Sequence, residues 1–305
     1  MNLSDIPAPR TNTLRTGTLC SDHLVACAVP LAHIHPLNRL SPVRAAGFNG
    51  MSISAPDLWT LAAEGISAGE FGQRMRDIGL CPAEMECIVT WLPGHGAMTE
   101  AGIIPGPWAD MAPRQIIASA VDVGCTSVTV AEIRGVRPSI DEAAESFAAI
   151  CDLAADRGLT ANIEFIPFGG IPNLTTAWRI VEAAGRANGG IMLDSWHLFR
   201  SGSTLDELAR IPGDRIMVVQ INDAPATPGA NLFQESMSER LLPGDGDLDL
   251  VGMFKTLDLI GCTAPIGVEV FSDALRVLPA NELLECWRDS ARKILYQSRS
   301  AKRTI

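Results

Sequence analysis

Short apolar runs rich in valine and isoleucine recur eight times along this chain. Each is followed by a segment long enough for an amphipathic helix, and that alternation constrains the fold more than any other feature. It is the pattern of repeated strand–helix–strand units, which lay strands parallel in one sheet and cover the sheet with helices. The runs fall near residues 24–32, 49–54, 83–90, 125–131, 160–166, 190–194, 215–221 and 265–271, with a last helix near 280–296. Eight alternations suit a closed (β/α)8 TIM barrel better than an open doubly wound α/β sheet, which typically has fewer strands. The expected organisation is a flexible N-terminal tail over 1–16, a single barrel domain over 17–298 and a C-terminal tail over 299–305.

Local punctuation agrees with that reading. Pro172 and Asn173 open a helix through Ala184, and Gly185 stands where a C-cap glycine stops one. Residues 247–261 (DLDLVGMFKTLDLIG) show helical apolar spacing and supply the seventh helix. The Gly- and Pro-rich stretch 91–111 reads as a long loop over the barrel mouth, where functional loops of such barrels lie.

Composition removes several classes of function. With 47% apolar and 19% charged residues, the chain can bury a sizeable core. Thirty-five acidic against 24 basic residues leave a formal charge of −11, which repels polyanions and argues against a nucleic-acid partner. No run reaches the about 18 apolar residues of a membrane helix, and the N-terminus lacks the continuous apolar segment of a secretory signal. The expectation is a cytoplasmic protein without a membrane partner. The eight cysteines form no CxxC pair and read as reduced core residues.

The chemistry concentrates at four strand ends. Each of the last four strands is an apolar run that closes on one oxygen-bearing side chain, namely Glu164, Asp194, Gln220 and Glu269. A lone polar residue at a strand end commonly caps the next helix; four on consecutive strands of a barrel converge on one face. Three carboxylates in so small a volume repel each other unless a cation neutralises them, and a divalent metal resolves the conflict. The all-oxygen donor set suits Mn²⁺ or Mg²⁺ better than the softer Zn²⁺. His197, three residues past Asp194, places an imidazole beside the same strand end.

The segments Asn162–Phe168, Leu193–His197, Val219–Pro225, Leu242–Asp247 and Val268–Phe271 resemble the xylose isomerase-like TIM-barrel superfamily, often labelled sugar phosphate isomerase/epimerase. Its members include ketose 3-epimerases, hydroxypyruvate isomerases, inosose dehydratases, 3-dehydroshikimate dehydratases and apurinic-site endonucleases. The resemblance implies that Glu164, Asp194, Gln220 and Glu269 hold one divalent metal, and that His197 is the substrate-binding or acid/base histidine. Ketose epimerases usually place histidine as the third ligand; Gln220 follows instead the hydroxypyruvate isomerases and 3-dehydroshikimate dehydratases. The chain has only five histidines, too few for the histidine-rich sites of the endonuclease branch.

Further residues complete the expectation. The only lysines, Lys255, Lys293 and Lys302, fall in proposed helices or the tail, which excludes a Schiff base inside the barrel. The loop after strand eight carries no glycine, and the glycines after strand seven sit beside acids in Pro243–Asp247, so an unphosphorylated substrate is expected. Arg240 reads either as a substrate contact or as an exposed partner of Glu239. His35 is the best substrate contact after strand one, ahead of His33, while Trp91 and Trp196 could wall the pocket. Glu86 and Glu132 could serve either substrate or structure.

These residues predict a metal-dependent isomerase or epimerase acting through an enediolate on an α-hydroxycarbonyl sugar or polyol. Glu164 and Glu269 exchange protons on the two faces, and His197 holds a substrate oxygen. Loss of a neighbouring oxygen instead gives a lyase that dehydrates a cyclic keto-polyol, dehydroshikimate-like acid or keto-glycoside. A catalytically silent metal-binding barrel is the least favoured reading. The small-molecule partner is a carbohydrate or cyclic polyol, and a homo-oligomer is compatible with the sequence.

Overall fold

A computed structural model describes residues 19–93, 111–133 and 136–300. The expected tail 1–16, most of the expected loop 91–111 and His95 lie outside these residues. Eight parallel strands close on themselves in chain order: β1 (Leu24–Ala26), β2 (Gly50–Ser54), β3 (Cys81–Ile88), β4 (Ser127–Ala131), β5 (Thr160–Glu164), β6 (Gly189–Asp194), β7 (Ile216–Ile221) and β8 (Ile266–Val268). Pairing of β1 with β8, Val25 opposite Gly267, shuts the ring and makes the expected TIM barrel. Strands buried on both faces read as continuous apolar runs because the helical ring covers one face and the barrel interior fills the other.

The first and last strands fall furthest short of the runs in the sequence. The first ends at Ala26, and Val29–Leu31 turn into a 3-10 helix around Pro30, whose ring fixes φ and removes the amide hydrogen that strand pairing needs. The last stops at Val268, so Glu269 stands one residue past its end. The final helix runs from Ala280 to Ser300, four residues beyond its expected end.

Helix starts follow from local chemistry. Ser139 and Glu142 form a reciprocal capping box at the helix Ile140–Ala155, and Asn173 caps Leu174–Ala184 by accepting from Thr176 N. Gly185 ends the latter helix at φ 62°, a left-handed conformation that only glycine adopts cheaply. Among the described residues no helix is long and apolar enough to cross a membrane.

Candidate metal and proton-transfer site

The barrel register sets Asp194, Gln220 and Glu269 side by side, while Glu164 on β5 pairs with Met192 of β6. Asp194 lies directly opposite Gln220 in the β6–β7 pairing, Gln220 opposite Gly267, and the Glu269 amide donates to the Ile221 carbonyl at 3.1 Å. A Cβ on Gly267 would stand 3.2 Å from Gln220 Cγ and 2.9 Å from Cys27 Sγ. The missing side chain therefore gives Gln220 its room in the barrel interior.

Asp194 is held through both carboxylate oxygens, and Glu164, Gln220 and Glu269 each through one terminal atom. Asp194 caps the helix Ser195–Arg200, its Oδ1 accepting from His197 N at 2.9 Å, while Oδ2 accepts from Asn222 Nδ2 at 2.7 Å. Ser195 fixes that asparagine, donating to its carbonyl oxygens and accepting from its backbone amide. His197 Nε2 lies 3.2 Å from Glu164 Oε1. Gln220 Nε2 donates to Glu86 Oε1 at 3.3 Å and approaches Cys27 Sγ at 3.6 Å. The Gln220 amide oxygen, the second oxygen of Glu86 and His197 Nδ1 are buried without a hydrogen-bond partner.

Arg240 answers part of the charge problem from within the chain. Its Nη1 stands 3.0 Å from Asp194 Oδ2 and 3.1 Å from Glu269 Oε2, and its guanidinium lies over the rings of Trp196 and Phe271 at 5.5 and 5.1 Å. Nε and Nη2 donate to the Ser236 carbonyl and hydroxyl. The side chain is 2% exposed, so the alternative of an exposed Arg240–Glu239 pair is not the one realised; Glu239 instead accepts from Gln234.

Not every expected contact joins this cluster. Trp196 is fully buried, donating Nε1 to Glu235 at 2.9 Å, so it supports Arg240 from beneath and offers no open wall. His35 precedes the helix Pro36–Ala45 and pairs with Glu64 at 3.0 Å, with 30% of its side chain exposed; no described contact brings it to the cluster. His33 is exposed. Trp91 donates to the Ala131 carbonyl at 3.0 Å, and Glu132 accepts from Gly170 N, so both tie loops down.

A second tier of acids lies on β3, facing the barrel interior. Glu84 and Glu86, two residues apart and so on one face of the strand, are both buried. Two acids at that spacing in an otherwise apolar run were the available sequence signal for Glu84, which had no assigned role. Burial and, less, the charge of Glu269 push the Glu86 carboxyl well up; burial likewise raises Glu269, against the opposing pull of Arg240. Burial, then the charge of Glu164, pushes Glu84 up to about 8.

A raised carboxyl favours the protonated fold. The stabilisation is therefore fully present below the ordinary carboxylate range and is lost as pH rises through about 8. Glu84→Gln should flatten this loss, stabilising the metal-free protein relative to wild type by on the order of 3 kcal/mol near pH 9 and little near pH 5. Urea unfolding at the two pH values measures it. Parallel behaviour of both proteins would mean that Glu84 is already ionised at the lower pH.

The donor chemistry fits a hard divalent ion. Glu164, Glu269 and Gln220 each have one terminal atom engaged and one oxygen left over, and the Gln220 oxygen is buried without a partner.

The chain belongs to the xylose isomerase-like TIM barrel family, whose model matches residues 40–292. It is 33% identical over 156 residues to a 3-dehydroshikimate dehydratase of Pseudomonas aeruginosa, a match covering 50% of this chain and 24% of that protein. It is 29% identical over 154 residues to an inosose isomerase of Bacillus velezensis, covering 50% of this chain and 54% of the relative. The matched segments thus span about a quarter and about half of these relatives' lengths. Among solved structures, a zinc-bound IOLI protein superposes with a TM-score of 0.79 at 18% identity, covering 91% of this chain and 99% of its own. A probable 3-DHS dehydratase from Bacillus anthracis does so with a TM-score of 0.70 at 12% identity, covering 88% and 98%. These two likenesses show the shared fold. The curated relatives matched are thus named as a dehydratase and an isomerase.

Proposed function

We propose that this protein removes a proton beside the carbonyl of an unphosphorylated α-hydroxycarbonyl sugar or polyol and returns it elsewhere, as an isomerase or epimerase. The observation that carries the reading is the 3.2 Å contact between His197 Nε2 and Glu164 Oε1. Glu164, Asp194, Gln220 and Glu269 would hold Mn²⁺ or Mg²⁺. When bound, such an ion supplies Lewis-acid polarisation of a carbonyl and its adjacent hydroxyl.

The chain's own groups account for the remaining work. Glu164 takes the proton as base, and His197 holds a substrate oxygen and keeps the Glu164 carboxylate oriented. Glu269, three strands round the barrel and raised by burial, is suited to carry a proton to the opposite face of the planar enediolate. Arg240 steadies developing negative charge on oxygen. Support for a substrate without phosphate comes from Asp223, whose carboxylate already accepts from the amides of Gly244 and Leu248 in the loop after β7.

A dehydratase reading shares the first step and ends with expulsion of a neighbouring oxygen. The 33% match to a 3-dehydroshikimate dehydratase favours it.

Metal-loaded protein incubated in D₂O with ketoses, keto-inositols and dehydroshikimate separates the outcomes. Deuterium entering substrate without loss of water supports the isomerase reading, and an enone-absorbing product supports the dehydratase. Neither result, or no metal above background by elemental analysis after Mn²⁺ loading, would sink the proposal.

A further inference from the structure

An amide ligand poses a problem that a carboxylate or an imidazole does not. Its end carries one acceptor oxygen and one donor NH₂ of nearly equal size, and a hard divalent ion takes only the oxygen. Turning the terminal torsion by half a circle exchanges the two, and that torsion has broad, roughly two-fold preferences. Something must fix the orientation of Gln220.

We propose that Glu86 is the positioning residue that does so: by accepting from the Gln220 NH₂ across the barrel, it turns the amide oxygen toward the strand-end site. This rests on the reading of Gln220 as a metal ligand. Strands β3 and β7 stand four apart in an eight-strand ring, so Glu86 and Gln220 reach toward each other from opposite walls. Gln220 Nε2 lies 3.3 Å from Glu86 Oε1 and 3.6 Å from Cys27 Sγ, which leaves the amide oxygen buried with no protein partner. Glu86 Oε1 can accept this bond whether the group is ionised or carries its proton on Oε2.

The same surroundings argue against reading this corner as a separate cation site. Ligand atoms of Cys27, Glu86 and Glu269 all lie within 4.8 Å of one another. The Gln220 NH₂ already points at the first two, and a cation there would meet its hydrogens.

Titrating Mn²⁺ into metal-free protein by calorimetry tests the assignment without any turnover assay. Glu86→Leu should weaken Mn²⁺ binding by about 10- to 100-fold, the usual loss when the partner orienting a ligand is removed. Glu86→Gln, whose amide oxygen can accept the same bond, should stay within about threefold of wild type. In a Gln220→Glu background the Glu86→Leu change should cost nothing, because a carboxylate presents an oxygen in either orientation. Equal affinity of wild type and Glu86→Leu, or the same loss in the Gln220→Glu background, overturns the assignment. Failure of the ligand reading shows differently, as no Mn²⁺ binding by wild type. Should Glu86→Leu not fold, a crystal structure of the Mn²⁺-loaded wild type decides. An amide oxygen on the ion with the other amide atom within about 3.5 Å of Glu86 supports the assignment, and a gap beyond that distance overturns it.

Discussion

Replacing Arg240 with leucine is expected to cost the metal-free protein about 3–5 kcal/mol of stability, the scale on which removal of one partner leaves a buried charge uncompensated. Its Nη1 lies within 3.1 Å of both Asp194 and Glu269, and all three side chains are at most 7% exposed. Leucine fills part of the space over Trp196 and Phe271 but returns no positive charge. The loss should grow with pH, since burial already raises Glu269 and removing the guanidinium raises it further; at pH 5 it can take up a proton, and near pH 8 it does so less readily. Saturating Mn²⁺ should restore much of the loss by supplying positive charge to the same carboxylates. Denaturant unfolding with EDTA and with Mn²⁺ measures both effects. A loss that is equal with and without the ion would show that the ion and the guanidinium do not neutralise the same groups.

His197→Asn should lower turnover by about 10²-fold or more while leaving metal content unchanged, the scale for losing a positioned acid, base or oxyanion partner. The imidazole backs Glu164 from 3.2 Å, whereas its backbone amide, which asparagine retains, is what caps onto Asp194. The ligand shell should survive because the substitution leaves Asp194 capped. Elemental analysis beside the turnover assay separates the cases. Loss of metal would make His197 a ligand, and full activity would reduce it to a support for the helix Ser195–Arg200.

Much of the site was legible because strand periodicity is local. An apolar run closing on Glu164, Asp194, Gln220 or Glu269 announces both a strand and a polar group at its end, and eight alternations announce the ring that gathers those ends. His35 misled for a related reason. Its nearness in sequence to the end of β1 said nothing of direction, and the turn around Pro30 leads it to Glu64.

The chain order of strands and helices, and with it the barrel and the four strand-end oxygens, was determined by the sequence alone, since backbone sterics and burial convert local patterns into strands and helices directly. Tertiary structure decided how those oxygens are held and neutralised. Glu86 meets Gln220 across 134 residues of chain, and Arg240 reaches Asp194 across 46, only because closure places β3 opposite β7 and folds the loop after β7 back over the mouth. Such contacts are set by the geometry of the closed ring, in which side chains from opposite walls share one dry interior, and no local pattern encodes which distant partner will face them there.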